Sequence, residues 1–389
     1  PETLELEVFT RGMVNSWGHH FDRWGQSFAT DGAGSQGVNP QIPGGAYFWA
    51  SGVSRTLSGV NPGSPKYCGC EIVSGRHLPE DWQGDLITCD FRANRVVRYK
   101  LAPNGAGYTA RLMPDVIKAS HPAFRPVDVK MGPDGAIYIA DWYNPIIQHG
   151  EVDFRDPRRD QTRGRIWRIT AKGRKLAPKP ELAKAKPAEL LAALESEEGF
   201  TRHFARRELL TRDRKDTLAA LKEFVSKTEA KKESVLMEAL WCYQTLREVE
   251  PALLGKLLTA TDYRVRAAAV RVVDGWADQL PNVLALLEPR LADDHPQVRL
   301  EAVCALRRVE SPRAAELALR ALERPVDQYV DYSLWLTMRE LEPHWLPALS
   351  EGRFNADGRG LAFALEAVGS EKVVGPLVKL LRGGKLTPE

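Results

Sequence analysis

GAIYIAD, Gly135–Asp141, decides how the first half of the chain is read, because the same glycine-to-aspartate spacing occurs twice more: GQSFATD over Gly25–Asp31 and GDLITCD over Gly84–Asp90. Each copy is preceded by a turn-forming string, FDRWG, PEDWQG or MGPDG, in which glycine supplies the positive φ that closes a hairpin. A short β-favouring run follows. The aspartate then ends it, its carboxylate suited to bonding downstream amides as an Asx turn. The glycines lie 59 and 51 residues apart. A repeat near that length with several short strands per copy is what a β-propeller blade demands, whereas an assorted β-sandwich gives no reason for the fixed offset. Propellers have about four to eight blades, so three units predict a partial propeller whose earlier blades belong to a longer natural chain. RGRIWRIT (Arg163–Thr170) reads as its last strand.

The reading of the whole chain is all-β followed by all-α: a partial β-propeller over 1–170, an exposed Lys/Pro/Ala linker over 171–187, and helical repeats over 188–389. The first part is rich in Gly, Pro, Asn, Asp and aromatics, with alternating runs such as LELEVF (Leu4–Phe9) and RVVRYKL (Arg95–Leu101). Beyond Ala188 a 3.6-residue period takes over, broken at Pro251, Pro281, Pro296, Pro312 and Pro343. There YRVRAAAVRVV (Tyr263–Val273) superposes on PQVRLEAVCAL (Pro296–Leu306) with a shift of 33, and Arg202, Ala205 and Leu209 carry the same frame. ALWCYQTLRE (Ala239–Glu248) has a partner in SLWLTMRE (Ser333–Glu340). Helix pairs crossing at small alanines stack into an α-solenoid of HEAT type. Arg202, Arg266 and Arg299 are then expected to bridge neighbouring units rather than to do chemistry.

Length and charge bound the rest. At 389 residues two or more cores are expected, and 43% hydrophobic residues can fill them. With 54 basic and 51 acidic side chains, the net +3 gives little ground for a nucleic-acid partner. No apolar run reaches the ~18 residues of a membrane span. The chain begins at Pro1 with no charged-then-apolar leader, the expected result of processing or truncation. Cys242 and Cys304, at helical spacing among apolar residues, are expected as core thiols. Cys89 with Cys68 or Cys70 is a disulfide candidate that the sequence does not decide. No C-x-x-C-H occurs, so the chain contains no c-type haem attachment site.

RGMVNSWGHHFDRWGQSFATDGAG (from Arg11), SGRHLPEDWQGDLITCDFRANRVVRY (from Ser74), FRPVDVKMGPDGAIYIADWYNPII (from Phe124) and DPRRDQTRGRIWRIT (from Asp156) closely resemble the membrane-bound dehydrogenases of planctomycete-type bacteria. In that family a propeller related to soluble glucose and sorbosone dehydrogenases precedes HEAT-like repeats and, usually, a cytochrome c module. The resemblance implies an extracytoplasmic (periplasmic or cell-envelope) sugar or alcohol dehydrogenase-like protein of quinoprotein type. Pyrroloquinoline quinone and calcium would be its cofactors, and a cytochrome c module would lie downstream in the intact protein. It departs from the family by lacking the early blades and any haem module. The alternative is a non-catalytic propeller that binds carbohydrate or protein, with the solenoid as scaffold for a protein partner.

Three clusters are candidates for chemistry. In WGHHFD, His19 or His20 offers a general base with Asp22 to orient it, and alternation along a strand lets at most one face a site. In SGRHLP, Arg76 and His77 join a cation to a base, against the alternative of a loop held by structural hydrogen bonds. In CDFRANR, Arg92, Asn94 and Arg95 suit the carboxylates of a quinone, and Asp90 with main-chain carbonyls suits calcium, as does Asp31; the plain alternative is a structural propeller strand. Asp141 and Trp142 of DWYNP add a carboxylate and a ring for cofactor or sugar. Each of Asp31, Asp90 and Asp141 either converges on a common axis or merely caps its own turn.

Overall fold

Gly25, Gly84 and Gly135 all stand in the left-handed region, at φ 78°, 78° and 76°, and each closes a tight turn that launches a strand. The computed structural model describes residues 6–33, 36–369, 373–375, 378 and 382. Leu4 and Glu5 of the LELEVF run, and part of the helical stretch expected to reach Glu389, lie outside the described residues; Leu6–Phe9 forms no strand.

Among the described residues, ten strands make three antiparallel sheets. The first contains β1 (Ser16–Phe21), β2 (Ser27–Asp31) and β3 (Val38–Gln41). The second contains β4 (Tyr67–Ile72), β5 (Leu86–Asp90), β6 (Arg95–Asn104) and β7 (Gly107–Lys118). The third contains β8 (Pro126–Met131), β9 (Ile137–Asp141) and β10 (Arg165–Ile169). The three marked segments are β2, β5 and β9, always the second strand of their sheet. Register repeats as well. Ser16 faces Asp31, Tyr67 faces Asp90 and Pro126 faces Asp141, and just beyond each pair the first strand carries a one-residue bulge.

The sheets stack face to face in chain order. Phe28 and Val38 of the first pack with Tyr67, Cys70, Leu86, Val97 and Tyr99 of the second. The opposite face of the second, with Cys68, Ile87, Cys89 and Val96, packs on Val129, Met131, Ile137 and Ile139 of the third. Side chains at period two thus feed two different cores, and each fully buried aliphatic or aromatic one stabilises by about 1.5–3 kcal/mol. The first strands β1, β4 and β8 run side by side. Gly18 and Gly69 make this possible: a Cβ at Gly18 would meet the Cys70 nitrogen at 2.6 Å, and one at Gly69 would lie 2.8 Å from the Asp128 Cα. The arrangement is consistent with a partial propeller, and the three sheets do not close a ring. Cys68, Cys70 and Cys89 are buried free thiols, so the disulfide candidate is not formed. Burial pushes Cys68 and Cys70 up to about 12.

Helices begin at α1 (Pro187–Ala192), α2 (Gly199–Leu209) and α3 (Arg214–Lys227). The chain divides after Thr228, so these three helices group with the sheets rather than with the repeats that follow. The segment after β10, expected as an exposed linker, is largely exposed and also bonded to the first unit. Ala171 donates to His77, Ala177 to the Asp134 carbonyl, and Arg174 to the carbonyls of His77 and Arg76.

The second unit contains α4 (Glu233–Thr245), α5 (Pro251–Leu257), α6 (Tyr263–Gly275), α7 (Val283–Leu287), α8 (Pro296–Leu306), α9 (Pro312–Leu319), α10 (Gln328–Glu340), α11 (Glu342–Ser350) and α12 (Gly358–Val368). Pro251, Pro296, Pro312 and Pro343 sit in first turns, where no intrahelical N–H bond is lost, so they start helices. Helices α4, α6, α8, α10 and α12 form one layer. Ala269 and Ala302, both fully buried, occupy matching positions in α6 and α8. The repeated arginines do what a structural reading expects. Arg266 donates to the carbonyls of Ala260 and Thr261 and clasps Asp293 at 2.7 and 2.8 Å. Arg299 donates to the carbonyls of Asp293, Asp294 and Pro325. Arg202, in the first unit, donates to the Ser196 carbonyl.

Nothing lies within 4 Å of a Cβ at Gly84, whereas one at Gly135 would meet the His77 Cβ at 2.8 Å. Urea unfolding should therefore show Gly84→Ala costing about 1–2 kcal/mol from backbone strain alone and Gly135→Ala distinctly more. In the helical unit, burial opposes the ionised form of Asp293, but the Arg266 hydrogen bond overcomes it and leaves the carboxyl below its usual range. The stability this contributes is present above the ordinary carboxylate range and is lost as pH falls through the depressed value. Arg266→Ala should cost the helical unit about 3 kcal/mol at neutral pH and flatten that acid dependence in circular-dichroism melts.

Candidate functional site

The three aspartates are buried and each is spent on the backbone around it. Asp31 accepts from the amides of Val14 and Asn15 (2.9 and 3.0 Å), ahead of β1, and of Ala33 (2.9 Å). Asp141 accepts from the amides of Arg125 and Tyr143 (2.8 and 2.9 Å) and from Trp167 Nε1 (3.0 Å). Asp90 accepts from the Ala93 amide and Arg95 Nε; burial pushes its carboxyl up, against the pull of Arg95 beside it. Among the described residues no group of three or more His, Cys, Asp or Glu side chains could hold a metal ion. Oxygens of Asp31 and Asp90 directed at amides and a guanidinium do not fit the calcium role expected of them.

The residues proposed for a quinone are likewise divided. Asn94, at φ 56°, donates through Nδ2 to the carbonyls of Pro122 and Phe124. Arg95 is held by Asp90 and Asp115. Arg92 and Trp142 are exposed. Beside Asp141 lies an open depression of about 650 Å³, lined by Trp17, Val127, Ala140, Trp142, Arg165 and Ile166. Its wall is almost wholly apolar, and its guanidinium, Arg165, lies over the Tyr143 ring at 3.3 Å. Arg92, Asn94 and Arg95 therefore do not converge into a cradle for carboxylates, and these residues do not fit the quinone. A residue the sequence did not single out holds this end together: buried Arg125 donates to the carbonyls of Phe91, Arg92, Asn144 and Pro145.

The histidines separate clearly. His77 is 1% exposed. Its Nε2 accepts from the Ala171 amide and its Nδ1 lies 3.1 Å from the Lys175 carbonyl, so both nitrogens serve the main chain instead of a substrate. Arg76 is exposed, and its amide donates to Glu198. His19 stands on β1 with Nε2 2.9 Å from Ser27 Oγ; partial burial of the ring, then His20 and Lys130, lower its pKa. Asp22, expected to orient a histidine, caps its own turn by accepting from the amides of Trp24 and Gln26.

His20 has a different orienting group. Its Nε2 lies 2.7 Å from Glu71 Oε1 on β4, while Glu71 also accepts from the amides of Ile72 (3.0 Å) and Met131 (3.2 Å). Glu71 is 6% exposed. Nδ1 of His20 has no hydrogen-bond partner among the described residues. Register shows why these groups meet. His20 faces Phe28, Glu71 faces Ile87 and Lys130 faces Tyr138, each three residues before its aspartate. One level of the three first strands thus presents His, Glu and Lys. Lys130 turns back to the Cys70 carbonyl (2.8 Å) and to Asp128 (3.5 Å). His203 on α2 shares the field: burial, then Arg206, Arg207 and His20, lower its pKa. Counting back from each aspartate would have exposed the level. The clue is obscured because Glu71 stands nineteen residues before Asp90, whereas His20 and Lys130 stand eleven before theirs.

A domain of unknown function, DUF7133, matches residues 65–173, and HEAT repeats match residues 250–336. No curated protein matches the chain. Among solved structures it is similar to an oxidoreductase of Thermus thermophilus described as a glucose dehydrogenase, with 22% identity and a TM-score of 0.31 over 42% of this chain and 47% of that one. It is also similar to the PQQ-bound aldose sugar dehydrogenase of Streptomyces coelicolor, with 20% identity and a TM-score of 0.30 over 42% of this chain and 44% of that one. The chain thus spans less than half the length of either. Likeness at this level assigns no residue a role.

Proposed function

We propose that the strand-built unit is part of a propeller that handles a sugar or related alcohol outside the cytoplasm, with His20 as the base that takes a hydroxyl proton. The observation that carries this is the 2.7 Å contact between His20 and a buried Glu71 whose other contacts are main-chain amides. A carboxylate so held keeps the proton on Nε2, leaves Nδ1 as the acceptor, and stabilises the imidazolium once it forms. Proton removal is the half of an alcohol oxidation that these residues perform, and the electron acceptor is a separate molecule. In this reading the helical repeats serve as a scaffold for a protein partner.

A second reading rests on the depression beside Asp141. Trp17 and Trp142 are 52% and 42% exposed at its sides, and indole faces stack on the C–H faces of sugars while a rim guanidinium meets hydroxyls. Such a site binds carbohydrate without turning it over.

Two measurements separate the readings. In dye-linked oxidation of a sugar and polyol panel by the full chain, with the dye as the separate electron acceptor, His20→Ala should lower kcat at least about 100-fold. Glu71→Gln should lower it about 10–100-fold with the fold retained. Turnover indifferent to both changes would remove His20 from the chemistry. In tryptophan-fluorescence titrations with the same panel, Trp142→Ala should weaken binding about tenfold. Sugar-dependent quenching without dye reduction selects the binding reading.

A further inference from the structure

We infer that His77 is the pin of a pH-operated strap that holds Ala171–Ala177 against the strand-built unit. The ring accepts a hydrogen bond from the Ala171 N–H at Nε2 (3.0 Å), so Nε2 carries no proton. The neutral ring must then bear its proton on Nδ1, which donates to the Lys175 carbonyl at 3.1 Å. One accepted and one donated bond require a single tautomer of the uncharged ring. Further along the strap, Arg174 donates to the His77 and Arg76 carbonyls at 2.8 and 2.9 Å, and Ala177 donates to the Asp134 carbonyl at 2.9 Å. Ala171 and Leu78 join the same apolar cluster.

Protonation reverses the chemistry at Nε2. The new N–H points at the Ala171 N–H, two donors face each other, and the bond is lost. The charged groups around the ring divide. Arg174, Arg76 and Lys175 oppose a second cation. Glu198, which accepts from the Arg76 amide and approaches the Gly135 turn from the helix side, favours it. Asp134, the remaining carboxylate at that turn, is committed to Arg168 at 2.5 Å. The strap therefore closes on the neutral ring and loosens when the ring takes up a second proton. Lys172, Arg174 and Lys175 already face solvent; opening releases Arg174 from the His77 and Arg76 carbonyls and frees the junction between β10 and α1.

Hydrogen exchange of the full chain tests this. Corrected for intrinsic pH dependence, protection of the Ala171 amide should fall about tenfold between pH 8 and pH 5.5, while the amides of β5 and β9 stay protected. His77→Gln, which offers one donor and one acceptor at any of these pH values, should remove the pH dependence. Nitrogen NMR of the wild-type ring gives an arm that needs no variant: at pH 8 it should show the proton on Nδ1. An unchanged wild-type profile, a drop shared by β5 and β9, an equal drop in His77→Gln, or the proton on Nε2 would each overturn the inference.

Discussion

A carboxylate taken out of water must find donors, and that requirement organises the strand-built unit. Asp31, Asp90 and Asp141 are at most 4% exposed. Two of the three draw donors from far along the chain, Val14 and Asn15 for the first and Arg125 and Trp167 for the third, while Asp90 is met by Ala93 and Arg95 close by. The ends of β2 and β9 are thereby tied to the chain entering their sheets, and the end of β5 to its own turn and the start of β6. A one-residue bulge in the first strand accompanies each of these strand ends. With backbone groups satisfied at this end, Trp17 and Trp142 can stand partly in solvent without loosening the loops that carry them.

The helical unit meets the complementary problem. Helices that end before a tight turn leave carbonyls without partners, and here a guanidinium from the following helix, half-buried in Arg266 and buried in Arg299, collects them. Arg266 takes Ala260 and Thr261, and Arg299 takes Asp293 and Asp294, at the same offsets. Each then reaches onward, one to the Asp293 carboxylate and the other to the Pro325 carbonyl. A planar fork with five donors does this where an ammonium would not, which is why the repeat keeps arginine.

Features chosen by backbone need were legible in the sequence. Positive-φ glycines, strand-ending aspartates, helix-starting prolines and the repeated arginines all announce themselves because few residue types satisfy the local demand. Features chosen by three-dimensional approach were not. Arg125 clamps loops on both sides of it in sequence, Glu71 meets a histidine on another sheet, and the Lys/Pro/Ala stretch reads as free linker because its partners, His77 and Asp134, lie far upstream. Arg76 and His77 illustrate the ambiguity: a loop histidine beside an arginine has the composition of a catalytic pair, and only burial with both nitrogens occupied reveals a brace.

The internal repeat also shows where specialisation lies. Positions at which the three copies agree, such as the turn glycine and the terminal aspartate, are those where the backbone allows no choice. Three residues before the aspartate's place in the ladder, the first strands instead carry His20, Glu71 and Lys130. Identical side chains there would have placed like charges side by side at a cost, whereas a histidine beside a glutamate lets one buried carboxylate be satisfied and one imidazole be oriented. The packing of the sheets does not require that choice, since small or apolar residues would fill the same space. The departure from repetition at this level is what sets the His20 imidazole against the buried Glu71 carboxylate, the contact on which the proposed base rests.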